Sequence, residues 1–244
     1  MLIDFDHVSK KYGRVQALDE VTLKIAAAQI VVVLGANGAG KTTLLRCLAS
    51  VVAPSQGRIL ADGQPLRRDR LDLRRGIMFI PDFPAFYSHM NPLQHIAMVL
   101  RLYGKDQPDV GERAILVLSK FDLLPLIETQ LGSLSRGQAY KVALAALFLA
   151  DPGLWLLDEP LASGVDPAGI SYLKQECREA AARGRTVVYS TQLLDIAEKF
   201  SDRVCILHRG AIKFFDSVAE IRKQSEQPHS SLEDILGRLR EVEV

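Results

Sequence analysis

The sequence lacks several features that mark specialised classes of protein. Its 244 residues carry a formal net charge of only +1, so we expect no general attraction to nucleic acid. Any recognition of phosphate must depend on a local group of residues. The N-terminus is acidic and lacks the charged-then-apolar pattern of a secretion signal. The three cysteines have no metal-type spacing, which favours reduced thiols that behave as small buried hydrophobes. These absences predict a cytoplasmic chain with no nucleic-acid partner.

The sequence also lacks an uninterrupted apolar run of membrane-spanning length. Its most apolar stretch, residues 142–157, is broken by Asp151-Pro152-Gly153, which predicts a helix, a turn and a strand. We therefore expect that any membrane role comes through a partner.

Strands and helices alternate through much of the chain, which predicts an α/β fold with a mainly parallel sheet. Residues 30–34 are continuously apolar and β-branched, which is typical of a strand buried on both faces. Residues 154–157 and 186–190 have the same character, and residues 167–183 between them have helical spacing that ends before Gly184. Residues 21–25 alternate as a half-buried strand, and residues 203–215 predict a β-hairpin.

A helical stretch interrupts this alternation. Helices are predicted near residues 92–103, 110–121 and 137–150. We therefore predict one domain with three parts. Residues 1–83 and 151–224 form an α/β core with an antiparallel β subdomain, and residues 84–150 form an inserted helical subdomain. Residues 225–244 form a polar linker and a short helix with Ser231 as its cap.

A glycine-rich loop after the first buried strand predicts a phosphate site. Its glycines let backbone N–H groups converge on phosphate oxygens, and the N-terminus of the following helix, residues 41–48, adds positive potential. Lys41 is placed to reach the outer phosphates and the Thr42 hydroxyl to coordinate Mg²⁺. An ordinary glycine turn is the alternative, but the full GxxxxGKT pattern favours nucleotide binding. The predicted nucleotide-binding residues are Gly35, Ala36, Asn37, Gly38, Ala39, Gly40, Lys41, Thr42 and Thr43.

Two carboxylates follow the apolar strand 154–157, which is the form of a Walker B strand. They lie at the carboxyl end of the strand, where α/β sheets bind ligands. Asp158 would hold Mg²⁺ through water, and Glu159 would polarise the attacking water. The alternative is a solvated acidic turn, which the nearby phosphate loop disfavours.

The segment Leu134-Ser135-Arg136-Gly137-Gln138 permits two interpretations. Ser135 and Gln138 have the spacing of a capping box at the start of a helix, and many such boxes bind nothing. A helix N-terminus with a free hydroxyl and a glycine is also an anion site.

The segment resembles the LSGGQ signature of the ABC ATPases and, as in that family, it lies shortly before a Walker B strand. The resemblance extends over nearly the whole chain and implies that Ser135, Arg136, Gly137 and Gln138 bind ATP held by a second subunit. Tyr12 matches the aromatic residue that stacks on adenine, with a buried core tyrosine as the alternative. Asp166 matches the D-loop residue that contacts the opposite subunit, and it can also cap the next helix, with Pro167 at the first helical position.

Two positions depart from the family pattern. Asp82 stands where the family has the Q-loop glutamine, and its oxygens remain ligands that Mg²⁺ accepts. Gln192 stands at the switch position of the family's histidine, and its amide cannot carry positive charge or relay a proton. Because Glu159 is retained, we expect slow rather than absent hydrolysis.

The resemblance implies an ATP-binding and ATP-hydrolysing subunit of an ABC transporter, with ATP and Mg²⁺ as cofactors. Its implied partners are a second ABC ATPase subunit, identical or different, and a polytopic membrane permease that holds it at the cytoplasmic face of the membrane. Residues 231–236 resemble the ending of bacterial exporter ATPases, which favours export. The alternatives are a degenerate, regulatory ABC subunit and a non-transport ABC ATPase. An unrelated phosphate-loop kinase or GTPase conflicts with the signature and the D-loop.

Overall fold

Two β-sheets form the framework of the protein. The computed structural model describes residues 1–106 and 110–224, together with Asp234 and Gly237. An antiparallel sheet has the order β2-β1-β4-β5, and a six-stranded sheet has the order β10-β9-β3-β8-β7-β6. The strands are β1 (Ile3–Tyr12), β2 (Val15–Ile25), β3 (Ile30–Leu34), β4 (Gln56–Ala61), β5 (Gln64–Pro65), β6 (Ile77–Ile80), β7 (Leu154–Leu157), β8 (Thr186–Thr191), β9 (Arg203–His208) and β10 (Ala211–Asp216).

All neighbouring pairs of the larger sheet are parallel except the terminal hairpin of β9 and β10. The predicted fold class is therefore confirmed: a mainly parallel sheet accompanied by an antiparallel one. The hairpin is also confirmed.

Helices pack on both faces of the larger sheet, and on one face they share the core with the antiparallel sheet. They are α1 (Lys41–Leu48), α2 (Leu71–Arg74), α3 (Pro92–Tyr103), α4 (Val110–Lys120), α5 (Arg136–Ala150), α6 (Pro167–Ala182), α7 (Leu194–Phe200) and α8 (Val218–Gln224). In the described residues, no helix is both long enough and apolar enough to cross a membrane.

The central strand β3 is buried on both faces, as its apolar sequence predicts. Val31 and Val33 pack in one core with α1 and the antiparallel sheet, whereas Ile30, Val32 and Leu34 pack in the other core with the long helices. Side chains alternate across a strand, so five consecutive apolar residues serve two hydrophobic cores. The strand is thereby anchored in both cores directly before the loop that follows it.

The stretch predicted to be helical contains α3, α4 and α5, and α5 packs against the other two. Every residue of α5 from Tyr140 to Ala150 is buried, and accordingly this part of the helix is apolar on all sides except at Lys141. The division of the chain into a core and a helical subdomain stays a prediction. The predicted linker and tail helix of residues 225–244 lie outside the described residues, apart from Asp234 and Gly237.

Cys47, Cys177 and Cys205 are buried and unpaired with one another. Burial raises the pKa of the Cys47 thiol to about 11 and that of the Cys205 thiol to about 12. The interpretation of these cysteines as small buried hydrophobes is confirmed.

Candidate functional site

Four sequence motifs meet at one edge of the larger sheet. The neighbouring strands β3, β8, β7 and β6 run in parallel, so their carboxyl ends lie side by side. The glycine loop follows β3, Gln192 follows β8, Asp158 and Glu159 follow β7, and Asp82 lies just beyond β6. Ligands of α/β proteins bind at this edge.

The backbone conformation of the glycine-rich loop requires glycine at specific positions. Gly38 and Gly40 have positive φ angles of 80° and 107°. A Cβ atom on Gly40 would lie 2.4 Å from the carbonyl oxygen of Ala17, so this position admits no side chain. Gly40 also precedes the first residue of α1, where free backbone N–H groups point into the loop.

Lys41 folds back across the loop. Its side chain is only 6% exposed, and its Nζ donates to the carbonyl oxygens of Gly35 at 2.8 Å and Ala36 at 3.3 Å. The same ammonium group lies 3.2 Å from the Glu159 carboxylate. The positive charge of the loop and the acidic end of β7 therefore face each other.

Ser190 fixes the acidic end of β7 from the adjacent strand β8. Its hydroxyl donates to the Asp158 carboxylate at 2.7 Å and accepts the backbone N–H of Glu159 at 2.9 Å. Glu159 has a positive φ angle of 47°, an uncommon conformation for a residue with a side chain. Both Asp158 and Ser190 are buried. Ser190 lies at the end of a predicted strand, but no sequence motif pointed to its role in the site.

The two atypical residues, Gln192 and Asp82, both make contacts at the site. Gln192 Nε2 donates to Asn37 Oδ1 of the glycine loop at 2.9 Å. Asp82 forms an ion pair and hydrogen bond with Arg136, whose guanidinium carbon lies 4.0 Å from the centre of the Phe83 ring. Neither contact was predicted.

The signature segment forms the predicted capping box. Ser135 Oγ accepts the backbone N–H of Gln138 at 3.2 Å, and Gln138 Oε1 accepts that of Ser135 at 2.9 Å. A Cβ atom on Gly137 would lie 2.1 Å from the carbonyl oxygen of Gly164, so the start of α5 packs directly on the D-loop backbone. The capping box and the close approach hold the segment in a single conformation.

The D-loop residue Asp166 is tied to the same helix. It caps α6 by accepting the backbone N–H of Gly169 at 2.8 Å, as predicted, and it forms an ion pair with Lys141 of α5. The hydrogen bond from Lys141 lowers the pKa of the Asp166 carboxyl. Asp166 is therefore ionised at neutral pH, on a side chain that is 48% exposed.

A cleft of about 470 Å³ lies at this edge of the sheet. It is lined by Val15, Gln16, Ala17, Ala36, Asn37, Gly38, Gly40, Lys41, Thr42, Thr43, Asp82, Arg136, Asp158, Glu159, Ala162 and Gln192. Tyr12 is 43% exposed and lies outside this lining, so its interpretation as a buried core residue is wrong. Among the signature residues, all of which the structure describes, Arg136 alone lines the cleft, and Asp166 lies outside it.

The buried strand, glycine loop and helix, together with an acidic strand end at the same edge, define a nucleotide-binding domain of the P-loop class. Residues 18–162 match the family model described as ABC transporter, so the chain belongs to this family and is an ATP-binding subunit of an ABC transporter. ATPase activity is characteristic of such subunits.

Individual relatives agree with this assignment. The chain is 31% identical over 229 residues to the SkfA peptide export ATP-binding protein SkfE of Bacillus subtilis, covering 91% of this chain and 95% of that protein. It is 36% identical over 221 residues to the sulfate/thiosulfate import ATP-binding protein CysA of Caulobacter vibrioides, covering 87% and 64% respectively. A solved structure of an ATP binding subunit of an ABC transporter superposes with a TM-score of 0.92 at 28% identity, covering 98% of this chain and 100% of that one.

Proposed function

We propose that this chain hydrolyses ATP between two ABC subunits and drives a separate membrane permease. The observation that carries the proposal is the convergence of four motifs on one cleft at the carboxyl edge of the parallel sheet. The glycine loop supplies backbone donors, Lys41 supplies a buried cation, and Glu159 supplies a carboxylate 3.2 Å from that cation. Phosphoryl transfer depends mainly on such positioning and electrostatics.

The oxygen donors of the cleft suit Mg²⁺. The Thr42 hydroxyl and the Asp158 carboxylate both line it, and hard divalent cations prefer oxygen ligands. When bound, the metal would neutralise charge on the phosphate oxygens. The Ser190 hydroxyl holds the Asp158 carboxylate in place, and Asp82 offers a further oxygen at the edge of the cleft.

Glu159 is proposed as the residue that orients the attacking water and accepts its proton. Its backbone N–H donates to Ser190 Oγ, so the backbone from which the carboxylate extends is held in place. Phosphate oxygens entering the cleft compete with Glu159 for the Lys41 ammonium group, because both are anions within reach of a single cation.

The signature residues Ser135, Gly137 and Gln138 are proposed to bind the ATP of a second subunit. They start a helix whose first turn presents free N–H groups, and they lie outside the cleft of their own chain. Asp166 and Tyr12 are exposed and therefore accessible to a partner subunit and to adenine, respectively. Two subunits placed head to tail would each complete the other's site.

Gln192→His is expected to raise the steady-state rate of ATP hydrolysis about 10-fold, because an imidazole can place a proton or positive charge against the phosphate oxygens. The Gln192 amide is a neutral donor, and its hydrogen bond goes to Asn37. Phosphate release by the purified protein measures the rate. Gln175→His, at an exposed position on α6, is the matched control. A Gln192→His rate equal to that of the wild type would contradict the proposal of slow hydrolysis.

The transport role is tested by co-purification. We expect the tagged full chain, recovered from detergent-solubilised membranes of its source cells, to carry a polytopic membrane protein, and this complex to hydrolyse ATP faster than the free subunit. Such a result would also place the chain at the membrane, and its protection from protease in sealed cells would identify the cytoplasmic face. Recovery of ribosomes or nucleic acid instead would contradict transport. A complex that binds ATP but hydrolyses none, even with Gln192→His, would support the regulatory alternative.

Export is the direction that we propose for transport. Its support is the relative SkfE, which is named for peptide export and which this chain matches over 95% of its length. The relative CysA, named for import, shares only 64% of its length with this chain. The exporter-like ending at residues 231–236 lies outside the described residues, except for Asp234. Uptake of a labelled substrate by cells that gain the chain and its permease would contradict export.

A further inference from the structure

Arg136 contacts the nucleotide cleft of its own chain. It is the first residue of α5, in the middle of the signature, yet its guanidinium pairs with Asp82 in the loop after β6. The guanidinium carbon also lies over the Phe83 ring, 4.0 Å from the ring centre. A cation in this position is attracted by the negative face of the aromatic ring. Both Arg136 and Asp82 line the cleft that holds Lys41 and Asp158.

Asp82 is one of the two positions at which the chain departs from the family pattern, and Arg136 stands where the LSGGQ signature has a glycine. Asp82 replaces a neutral glutamine, and Arg136 replaces a glycine without a side chain. The first replacement adds a negative charge to the cleft edge and the second adds a positive one. Because the two side chains form an ion pair, these two charges compensate each other.

The charges of the lining residues show why the pairing matters. The cleft has three carboxylates, on Asp82, Asp158 and Glu159, and two cations, on Lys41 and Arg136. Lys41 lies 3.2 Å from Glu159, and the Arg136 guanidinium contacts Asp82. Without Arg136, the lining would have three negative charges and one positive charge, which disfavours a polyphosphate.

The next turn of α5 contributes a buried tyrosine whose hydroxyl is influenced by the same carboxylates. Tyr140 lies one turn after Arg136, and its fully buried hydroxyl has no hydrogen-bond partner. Burial, reinforced by the charges of Asp158 and Asp82, raises the pKa of this hydroxyl well above its ordinary value. α5 thus lines the cleft of its own chain through Arg136.

We propose that Arg136 is a positioning residue for the nucleotide site of its own subunit: it neutralises Asp82 and holds that carboxylate at the edge of the cleft. Arg136 thus acts on the site of its own subunit. This role is additional to the contact with a partner's ATP that the proposed function assigns to the signature. The proposal rests on that function only for the identity of the ligand as a nucleotide polyphosphate.

ADP binding to the isolated full chain, measured without Mg²⁺, is the test. ADP lacks the γ-phosphate that joins two subunits, so it reports on the site within one subunit, and without the metal the oxygen that Asp82 offers to Mg²⁺ plays no part. Arg136→Ala is expected to weaken ADP binding about 5-fold at low salt, because Asp82 then repels the phosphates. The double variant Asp82→Asn/Arg136→Ala should bind ADP with an affinity within about 2-fold of the wild type, since the uncompensated negative charge of Asp82 is gone. Arg136→Lys should retain most of the affinity, and at about 0.5 M salt the loss caused by Arg136→Ala should shrink.

Arg58→Ala is the matched control, because Arg58 forms an exposed ion pair with Asp6 on the antiparallel sheet, away from the cleft. It should leave ADP affinity unchanged, and thermal unfolding should show that all variants fold. The proposal is overturned if Arg136→Ala binds ADP with the affinity of the wild type. It is also overturned if the double variant binds ADP as weakly as Arg136→Ala does. A defect confined to ATP-driven dimerisation would also overturn it while leaving the proposed function intact. Failure of the wild-type chain to bind any nucleotide would instead contradict the proposed function.

Discussion

Glu159→Gln is expected to lower steady-state ATP hydrolysis at least about 100-fold while leaving ATP affinity within about 3-fold of the wild type. The carboxylate is the group at the end of β7 that can accept a proton from water, and an amide of the same shape cannot. The amide oxygen can still accept from the Lys41 ammonium, which lies 3.2 Å from the carboxylate. Phosphate release and nucleotide titration measure the two quantities separately.

The same variant tests dimerisation. Without hydrolysis, bound ATP should hold two subunits together, and sedimentation should show a dimer with ATP and a monomer with ADP. Glu112→Gln, at an exposed position in the first turn of α4, is the matched control and should behave as the wild type does. A Glu159→Gln chain that stays monomeric with ATP would contradict the proposed arrangement of two subunits.

Lys41→Ala is expected to weaken ATP binding at least about 30-fold, because it removes the cation of a buried charge pair and leaves the partner carboxylate uncompensated. Lys41 Nζ makes two hydrogen bonds to loop carbonyl oxygens in addition to the ion pair with Glu159. The variant therefore loses the attraction for phosphate and places an unpaired negative charge beside the ligand. Titration with a fluorescent ATP analogue measures the affinity.

Lys24→Ala is the matched control for this loss, because Lys24 is exposed on β2 of the antiparallel sheet. Its removal should leave ATP affinity unchanged. ATP binding by Lys41→Ala within about 3-fold of the wild type would show that the glycine loop does not hold the phosphates, which would overturn the assignment of the cleft. Thermal unfolding of both variants separates a loss of binding from a loss of fold.

Much of the fold was predictable because its signals are local. β3, α1, α3 and β7 begin and end at the predicted residues, since an apolar run and a flanking glycine, proline or aspartate determine their limits. The capping box at Ser135 and the cap at Asp166 are hydrogen bonds between residues three apart, so their sequence spacing sufficed to predict them. β1, β4, β5 and β6 and the short helices α2, α7 and α8 were not predicted. β1, β4 and β6 draw their burial from strands distant in sequence. β5 has only two residues, both exposed, so no hydrophobic pattern marks it.

The sequence by itself determined that the chain binds nucleotide and belongs among the ABC ATPases, because the glycine loop, the acidic strand end and the signature are each continuous segments. Only the tertiary structure decided how these segments act on one another. Ser190 contacts Asp158 across 32 residues of sequence, Arg136 contacts Asp82 across 54, and Gln192 contacts Asn37 across 155. Such pairs depend on the order of strands in the sheet, which places β8 between β3 and β7. That order is set by the packing of the whole core, so no local pattern of residues predicts which side chains meet at the edge of the cleft.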